Sequence, residues 1–318
     1  MTIGPPTWTN VFAEEMVVIG EQRPDVVAIT AAMLRPVGLH PFADRFPERV
    51  FDVGIAEQHA VTSAAGMAMG GLHPVVCIYS TFLNRAFDQV LLDVAMHGLA
   101  VTFVLDRAGI TGPDGSSHHG MWDLAVLGLV PGMRVAAPRD ATRLRQLLHE
   151  AVQDERGPNA VRYPKASVDD DIVAVDRVGD MDVLRRDESS DVLLVAVGPQ
   201  AALALDVADR LAAQGLGVTV VDPRWVLPVD AALPALAAAH EQVVVIEDGV
   251  AVGGVGTAIA RELRERNIRV PLRHIALPQA FIPHGERPTL LAECGLSAQE
   301  IARAVIEAAA GASVTSSE

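Results

Sequence analysis

The sequence predicts two α/β units, each built on a mainly parallel sheet, and three observations carry that expectation. Short apolar runs of strand type (VVAIT, HPVVCIYS, VTFVLD) alternate with helical stretches of about 10 to 18 residues. The alternation stops at a polar, acidic stretch over residues 167–190. It resumes at DVLLVAVGP, residues 191–199, and runs nearly to the end of the chain. A length of 318 residues suffices for two domains with separate cores. Half of the residues are hydrophobic but only 4% are aromatic, so Ala, Val and Leu must fill the interior. The formal net charge of −15 argues against general nucleic-acid binding, which needs a basic face. It leaves room for small phosphorylated substrates, since a few local cations suffice. Cys77 and Cys294 are solitary, as suits a reducing compartment. MTIGPPTWTN lacks a basic region followed by an apolar one, and no apolar run approaches the ~20 residues of a membrane span. A soluble, cytoplasmic protein is expected, with no membrane partner.

Along the chain, residues 7–21 have the spacing of an amphipathic helix, marked by Trp8, Val11, Phe12, Glu15 and Val18. VVAIT is a strand, and LRPVGLHPFADRFPE a Pro-broken loop with a short helix. A strand at 50–53 then opens a small-residue helix, and HPVVCIYS is a strand. TFLNRAFDQVLLDVAMHG reads as one helix, and VTFVLD as a strand entering a Gly-rich loop. Next come a short helix, a strand end in MRVAAPRD, a helix capped by Asp140, and a last strand around 160–163. The 171–190 stretch is taken as a linker with some edge structure. In the second unit DVLLVAVGP, VTVVDPRW, VVVIEDG and LRHIALP are strands, with helices at 201–214, 230–240, in GGVGTAIARELRER and at 297–310. The remaining tail is expected to be disordered. Functional sites of such sheets gather at the carboxyl ends of the strands, where Glu57, Tyr79, Arg107 and Lys165 fall.

The stretch 51–71, FDVGIAEQHAVTSAAGMAMGG, organises the first unit. Its alanines allow close approach of a neighbour or a bound ring, and Glu57 stands at the strand-to-helix junction. A first-turn carboxylate is favoured by the helix dipole, which gives Glu57 a purely structural reading. The alternative is a glutamate reserved for a cofactor nitrogen. The loop DRAGITGPDGSSHHG concentrates four glycines, two acids, a cation and two imidazoles, the make-up of a binding loop. His118 and His119 are adjacent, and without further ligands at spacing they make a poor metal pair. DGVAVGGVGTA lies where a phosphate-binding turn could form but lacks a GxGxxG register, so tight helix packing is the simpler reading.

GIAEQHA, YSTFLNRAFDQV, DRAGITGPDGSSHHG and VRYPK together resemble the 1-deoxy-D-xylulose-5-phosphate synthase family of transketolase-like, thiamine diphosphate-dependent transferases. The resemblance is close from about residue 8 to 165. It is looser to about 310, where GGVG and FIPHG are similar to the transketolase C-terminal domain. It implies two three-layer α/β/α domains, a pyrimidine-binding domain over 1–170 and a C-terminal-type domain over 191–311, with 312–318 as the tail. It further implies that Glu57 holds the aminopyrimidine nitrogen of the cofactor, Phe82 stacks on that ring and Ile55 touches it. Arg85 and His118 would serve the pyruvate-derived carboxylate and the nascent alcohol. Tyr79, Arg107, Asp114 and Lys165 would surround the phosphate end of glyceraldehyde 3-phosphate. Lys165 departs from the arginine expected after VRYP and is the sole lysine of the chain, keeping the charge without the bidentate fork.

The family grips the diphosphate and Mg²⁺ through a Gly-Asp-Gly segment on a further N-terminal domain, and no Gly-Asp-Gly occurs here. No metal ligand is therefore assigned within these residues. A separate diphosphate-binding chain or domain is expected as partner, in a homodimer or a heterotetramer, with Ala60, Ala64 and Met67 in the interface. Two alternatives remain: a small subunit of a transketolase or other thiamine diphosphate enzyme, and a non-catalytic truncated paralogue acting as an interaction module.

Overall fold

The computed structural model describes residues 5–315. The first unit opens with α1 (Trp8–Gln22), β1 (Val26–Thr30), α2 (His40–Arg45), β2 (Val50–Asp52), α3 (Glu57–Met69) and β3 (His73–Tyr79). A broken helical stretch follows: α4 (Ser80–Leu83), a 3-10 turn (Asn84–Ala86), α5 (Phe87–Gln89) and a π-helical segment (Val90–Ala95). Then come β4 (Thr102–Asp106), α6 (Asp123–Leu127), β5 (Arg134–Ala136), α7 (Ala141–Gln153) and β6 (Asn159–Tyr163). The second unit contains β7 (Asp176–Val178), β8 (Met181–Arg186), β9 (Val192–Ala196), α8 (Gln200–Ala212), β10 (Val218–Asp222) and β11 (Trp225–Leu227). It continues with α9 (Leu233–Ala238), β12 (Gln242–Val250), α10 (Val255–Glu265), β13 (Leu272–Leu277), α11 (Arg287–Glu293) and α12 (Ala298–Thr315).

Every residue of β1, β3, β4 and β6 is buried, as in the centre of a parallel sheet covered on both faces. The first sheet has the order β11-β5-β6-β4-β3-β1-β2 and the second β13-β12-β9-β10-β8-β7. Helices α1, α2 and α7 cover one face of the first sheet through Trp8, Phe12, Phe42, Leu144 and Leu147. On the other face, Ala60, Val61, Ala64, Val90 and Leu124 form a core that continues into the second sheet through Leu193, Val195, Val243 and Val245. Helices α8 and α12 close the far side of the second sheet. Thr7 and Asp140 cap α1 and α7, accepting from the amides of Asn10 and Arg143 at 3.2 and 2.7 Å.

Several expectations need correction. VTVVDPRW is two strands: Pro223 cannot continue the ladder, Arg224 turns left-handed at φ 62°, and β11 then joins the first sheet antiparallel to β5. The stretch expected as a linker with some edge structure carries β7 and β8 at one edge of the second sheet, and β8 pairs antiparallel with β10, so that sheet is mixed. The helix expected at 81–98 changes winding along its length, shifting which side chains share a face. Ala60 and Ala64 are fully buried inside the chain and cannot face a partner. Helix α12 runs past 310 to Thr315, and residues 316–318 of the expected tail lie outside the described residues. Among the described residues no helix is long and apolar enough to cross a membrane.

Candidate active site

Strand order brings distant residues together at the carboxyl ends of the central strands. Strands β6, β4 and β3 are parallel neighbours, and Lys165, Arg107 and Tyr79 stand at or just past their carboxyl ends. Arg107 holds a left-handed backbone, φ 63°, uncommon for a residue with a side chain and frequent where a site fixes geometry. Its guanidinium lies 4.0 Å from the centre of the Tyr79 ring, a cation–π contact. It also donates to Asp114 Oδ2 at 2.6 Å, and Lys165 Nζ donates to the same oxygen at 2.7 Å. Burial opposes the charge on Asp114, but the two cations outweigh it and hold its pKa below the ordinary value. Burial pushes the Tyr79 hydroxyl up, keeping it a neutral donor. Tyr79 stacks on Phe82 with centroids 5.7 Å apart, and Phe82 meets the His118 ring edge-on at 5.6 Å. The Ser117 hydroxyl and His118 Nδ1 are hydrogen-bonded at 2.9 Å.

Glu57 forms a second group. It begins α3, whose preceding residue, Ala56, offers no side-chain cap, and it is buried to 3% exposure. Arg85, on the 3-10 turn after Phe82, donates to Glu57 Oε1 at 3.5 Å. Its Nε lies 3.4 Å from Oε2, close enough to pair in charge, yet Oε2 receives no hydrogen bond. The Arg85 side chain is half exposed and Ile55 is 75% exposed, so this group opens outward. The structure thus pairs Arg85 with Glu57 and His118 with Phe82. Phe82 and Arg85, three residues apart, join the two groups.

The loop bearing Asp114 and His118 is closed at its base by the Gly109 amide donating to the Gly120 carbonyl at 2.9 Å. A Cβ at Gly120 would stand 2.3 Å from the Arg107 carbonyl oxygen and 2.6 Å from Ser80 Cβ, so only glycine fits. His119 is buried, its Nδ1 accepting from the Thr111 amide at 3.0 Å and its Nε2 facing the Pro283 carbonyl at 3.2 Å. Both nitrogens are engaged within the chain, which removes His119 as a metal ligand. The same FIPHG segment receives the Ser116 hydroxyl on the Ile282 carbonyl at 2.7 Å, and Arg287 Nε donates to Ile110 O at 3.0 Å.

This backing from the second unit has no signal in the sequence beyond the resemblance that FIPHG carries. Beneath it, Arg162 donates to Asp123 and Asp248 at 2.7 and 3.0 Å, all three buried, and Arg287 adds to Asp248 at 3.3 Å. Nothing in one-dimensional spacing pairs residues so far apart. The glycine turn at the start of α10 has spent its amides. Val255 and Gly256 donate to the buried Glu247 at 3.1 and 2.9 Å, so the packing reading holds there.

The transketolase pyrimidine-binding domain model matches residues 4–170, more than half of the chain, and the transketolase C-terminal domain model matches 181–301. The chain belongs to the transketolase family. A 1-deoxy-D-xylulose-5-phosphate synthase of Parafrankia sp. (strain EAN1pec) is 61% identical over 308 residues, covering 96% of this chain and 47% of that protein. The synthase of Leifsonia xyli subsp. xyli is 60% identical over 310 residues, covering 97% and 48%. The chain therefore spans about half the length of the curated relatives it matches. Among solved transketolase-family structures, a split gene transketolase described as an inactive beta4 tetramer is 30% identical. It has a TM-score of 0.83 over 96% of this chain and 98% of that one. The transketolase of Campylobacter jejuni, at 16% identity and a TM-score of 0.78, shares the fold.

Proposed function

We propose that these residues are the pyrimidine-binding and C-terminal portion of a 1-deoxy-D-xylulose-5-phosphate synthase, which joins pyruvate to glyceraldehyde 3-phosphate with loss of carbon dioxide. The observation that carries this reading is Glu57: a buried carboxylate with one oxygen lacking a hydrogen bond, covered by the half-exposed Arg85 and close in sequence to the exposed Ile55. Such an oxygen fits the lone-pair-bearing ring nitrogen of an aminopyrimidine such as that of thiamine diphosphate, to which a protonated carboxyl would donate. The cofactor, when bound, supplies a carbon nucleophile and an electron sink for the decarboxylation. Glu57 would hold the proton at the ring nitrogen, Phe82 would offer a flat face and the exposed Ile55 an apolar contact. Arg85 and His118 would offset carboxylate and alkoxide charge. Tyr79, Arg107 and Lys165 would hold the phosphate of the aldehyde, with Asp114 beside them. The diphosphate and Mg²⁺ would be gripped by a further domain or a separate chain. The match along nearly all of a split-gene transketolase chain supports an arrangement in two chains.

The test is reconstitution with the diphosphate-binding half of a related synthase, following formation of the condensed sugar phosphate from pyruvate and glyceraldehyde 3-phosphate. Glu57→Gln is expected to lower turnover roughly a hundredfold to ten-thousandfold, the range for losing a positioned proton carrier, with the fold intact by circular dichroism. Turnover in the variant within a factor of three of the parent would dismiss the assignment.

A further inference from the structure

The two cations that would receive a phosphate already share a partner. Asp114 Oδ2 accepts from both Arg107 at 2.6 Å and Lys165 at 2.7 Å, and its carboxylate is three-quarters buried between them. Neither Arg107 nor Lys165 has another acidic partner among the described residues. A carboxylate donates nothing to a phosphate dianion and repels it, so Asp114 cannot belong to the phosphate-holding set in its present position.

We propose that Asp114 is the resident counter-anion of this site: its carboxylate and a phosphate monoester are alternative partners of Arg107 and Lys165, so substrate binding is an exchange in which Asp114 turns away. This rests on the reading of those two cations as the phosphate end of the acceptor site. The chain around Asp114 suits such a turn. Gly112 and Gly115 flank it, at φ 92° and 76°. The Gly115 amide closes this turn on the Gly112 carbonyl at 3.2 Å, and Arg287 on Ile110 and Ser116 on Ile282 hold its two sides, so the exchange needs only rotation of the Asp114 side chain on a fixed backbone. The exchange also selects among anions. A monoanion only replaces the charge it displaces, whereas a phosphate dianion adds one and brings three acceptor oxygens to two multidentate cations. Asp114 would thus tune specificity for the doubly charged tail, at a cost in raw affinity.

The experiment is calorimetric titration of this chain with glycerol 3-phosphate, an unreactive phosphate monoester, at low ionic strength. The variants are Asp114→Asn, Asp114→Ser and the double variant Arg107→Ala/Lys165→Ala. Both Asp114 variants are expected to bind about tenfold tighter than the parent or better, equivalent to about 1.4 kcal/mol, while the double variant loses binding. A gain of affinity is something a merely structural aspartate would not produce, and two differently shaped replacements guard against a local fold defect. If the Asp114 variants bind no tighter while the double variant still loses binding, the phosphate site stands and the counter-anion proposal falls. If the double variant binds as well as the parent, or no protein binds at all, the phosphate reading itself falls and takes the proposal with it.

Discussion

At the scale of single residues, the central strand of the first sheet ends on an acid that the solvent does not reach. Asp106, one residue before Arg107, is 1% exposed, accepts from the Thr9 hydroxyl at 2.8 Å on one oxygen and has no partner on the other. The Tyr163 hydroxyl, on the neighbouring strand in register with Asp106, is likewise buried and unpaired. Burial is the largest influence on Asp106 and raises its pKa from 3.8 to about 6, against the pull of Thr9 and Arg107. A folded-state value above the unfolded one means that the folded protein prefers the protonated acid. Its stabilising contribution is complete below pH 3.8, declines as pH rises through about 6, and is lost near neutrality. Asp106→Asn keeps an acceptor for Thr9 without the charge. It is expected to match the parent near pH 4 and exceed it at neutral pH by about 1–3 kcal/mol. Urea unfolding across that range measures the difference, and parallel stability curves for the two proteins would count against it.

At the scale of elements, α3 does two jobs along one buried face, on which Glu57, Ala60, Val61 and Ala64 fall at i, i+3, i+4 and i+7. Its start presents Glu57, and its inner side buries Ala60, Val61, Ala64 and Ala65 against the first sheet and the π-helical segment. The alanines are small because the helix lies close to its neighbours, so added volume has nowhere to go. Ala64→Leu is expected to destabilise by about 1–3 kcal/mol through overpacking. Met69→Ala, at the 60% exposed end of the same helix, should stay within about 0.5 kcal/mol. Thermal melts of the two variants decide the matter, and equal effects would mean that the helix is not closely held. The periodicity of small residues identified this helix, but not which side faces inward. A run of alanines has too weak a hydrophobic contrast to orient a helix.

At the scale of the molecule, the two units share one apolar core and a buried ionic joint. Arg139, 3% exposed, contacts Asp140 at 3.0 Å, Asp182 at 2.6 Å and Asp222 at 2.7 Å, and donates to the Ile172 carbonyl at 2.7 Å. One guanidinium thus ties the start of α7 to β8, β10 and the segment between the units. Arg139→Ala leaves the buried Asp140 and Asp222 without their cation, while Asp182 keeps Arg143, and is expected to cost about 3–5 kcal/mol, the range for breaking a buried pair from one side. Denaturant unfolding followed by tryptophan fluorescence tests this, since Trp225 sits on the strand that crosses between the units. A loss under about 1 kcal/mol would show that the joint is held by the apolar core alone. This joint is not legible in the sequence, because charges at 139, 182 and 222 have no local pattern. Their meeting depends on two strands and a helix start converging.

By itself, the sequence determined the alternation of strands and helices, the family, and the residue types at the site. Each of these is written locally: in runs of apolar residues, in capping side chains such as Asp140, and in contiguous motifs such as GIAEQHA and DRAGITGPDGSSHHG. Only the tertiary structure decided that Asp114 occupies Arg107 and Lys165, that Arg85 pairs with Glu57, that β11 completes the other unit's sheet, and that FIPHG backs the site loop. These are contacts between segments tens to more than a hundred residues apart, or choices among several possible partners for one charge. Spacing along a chain carries no record of such pairings; sheet order, register and packing do.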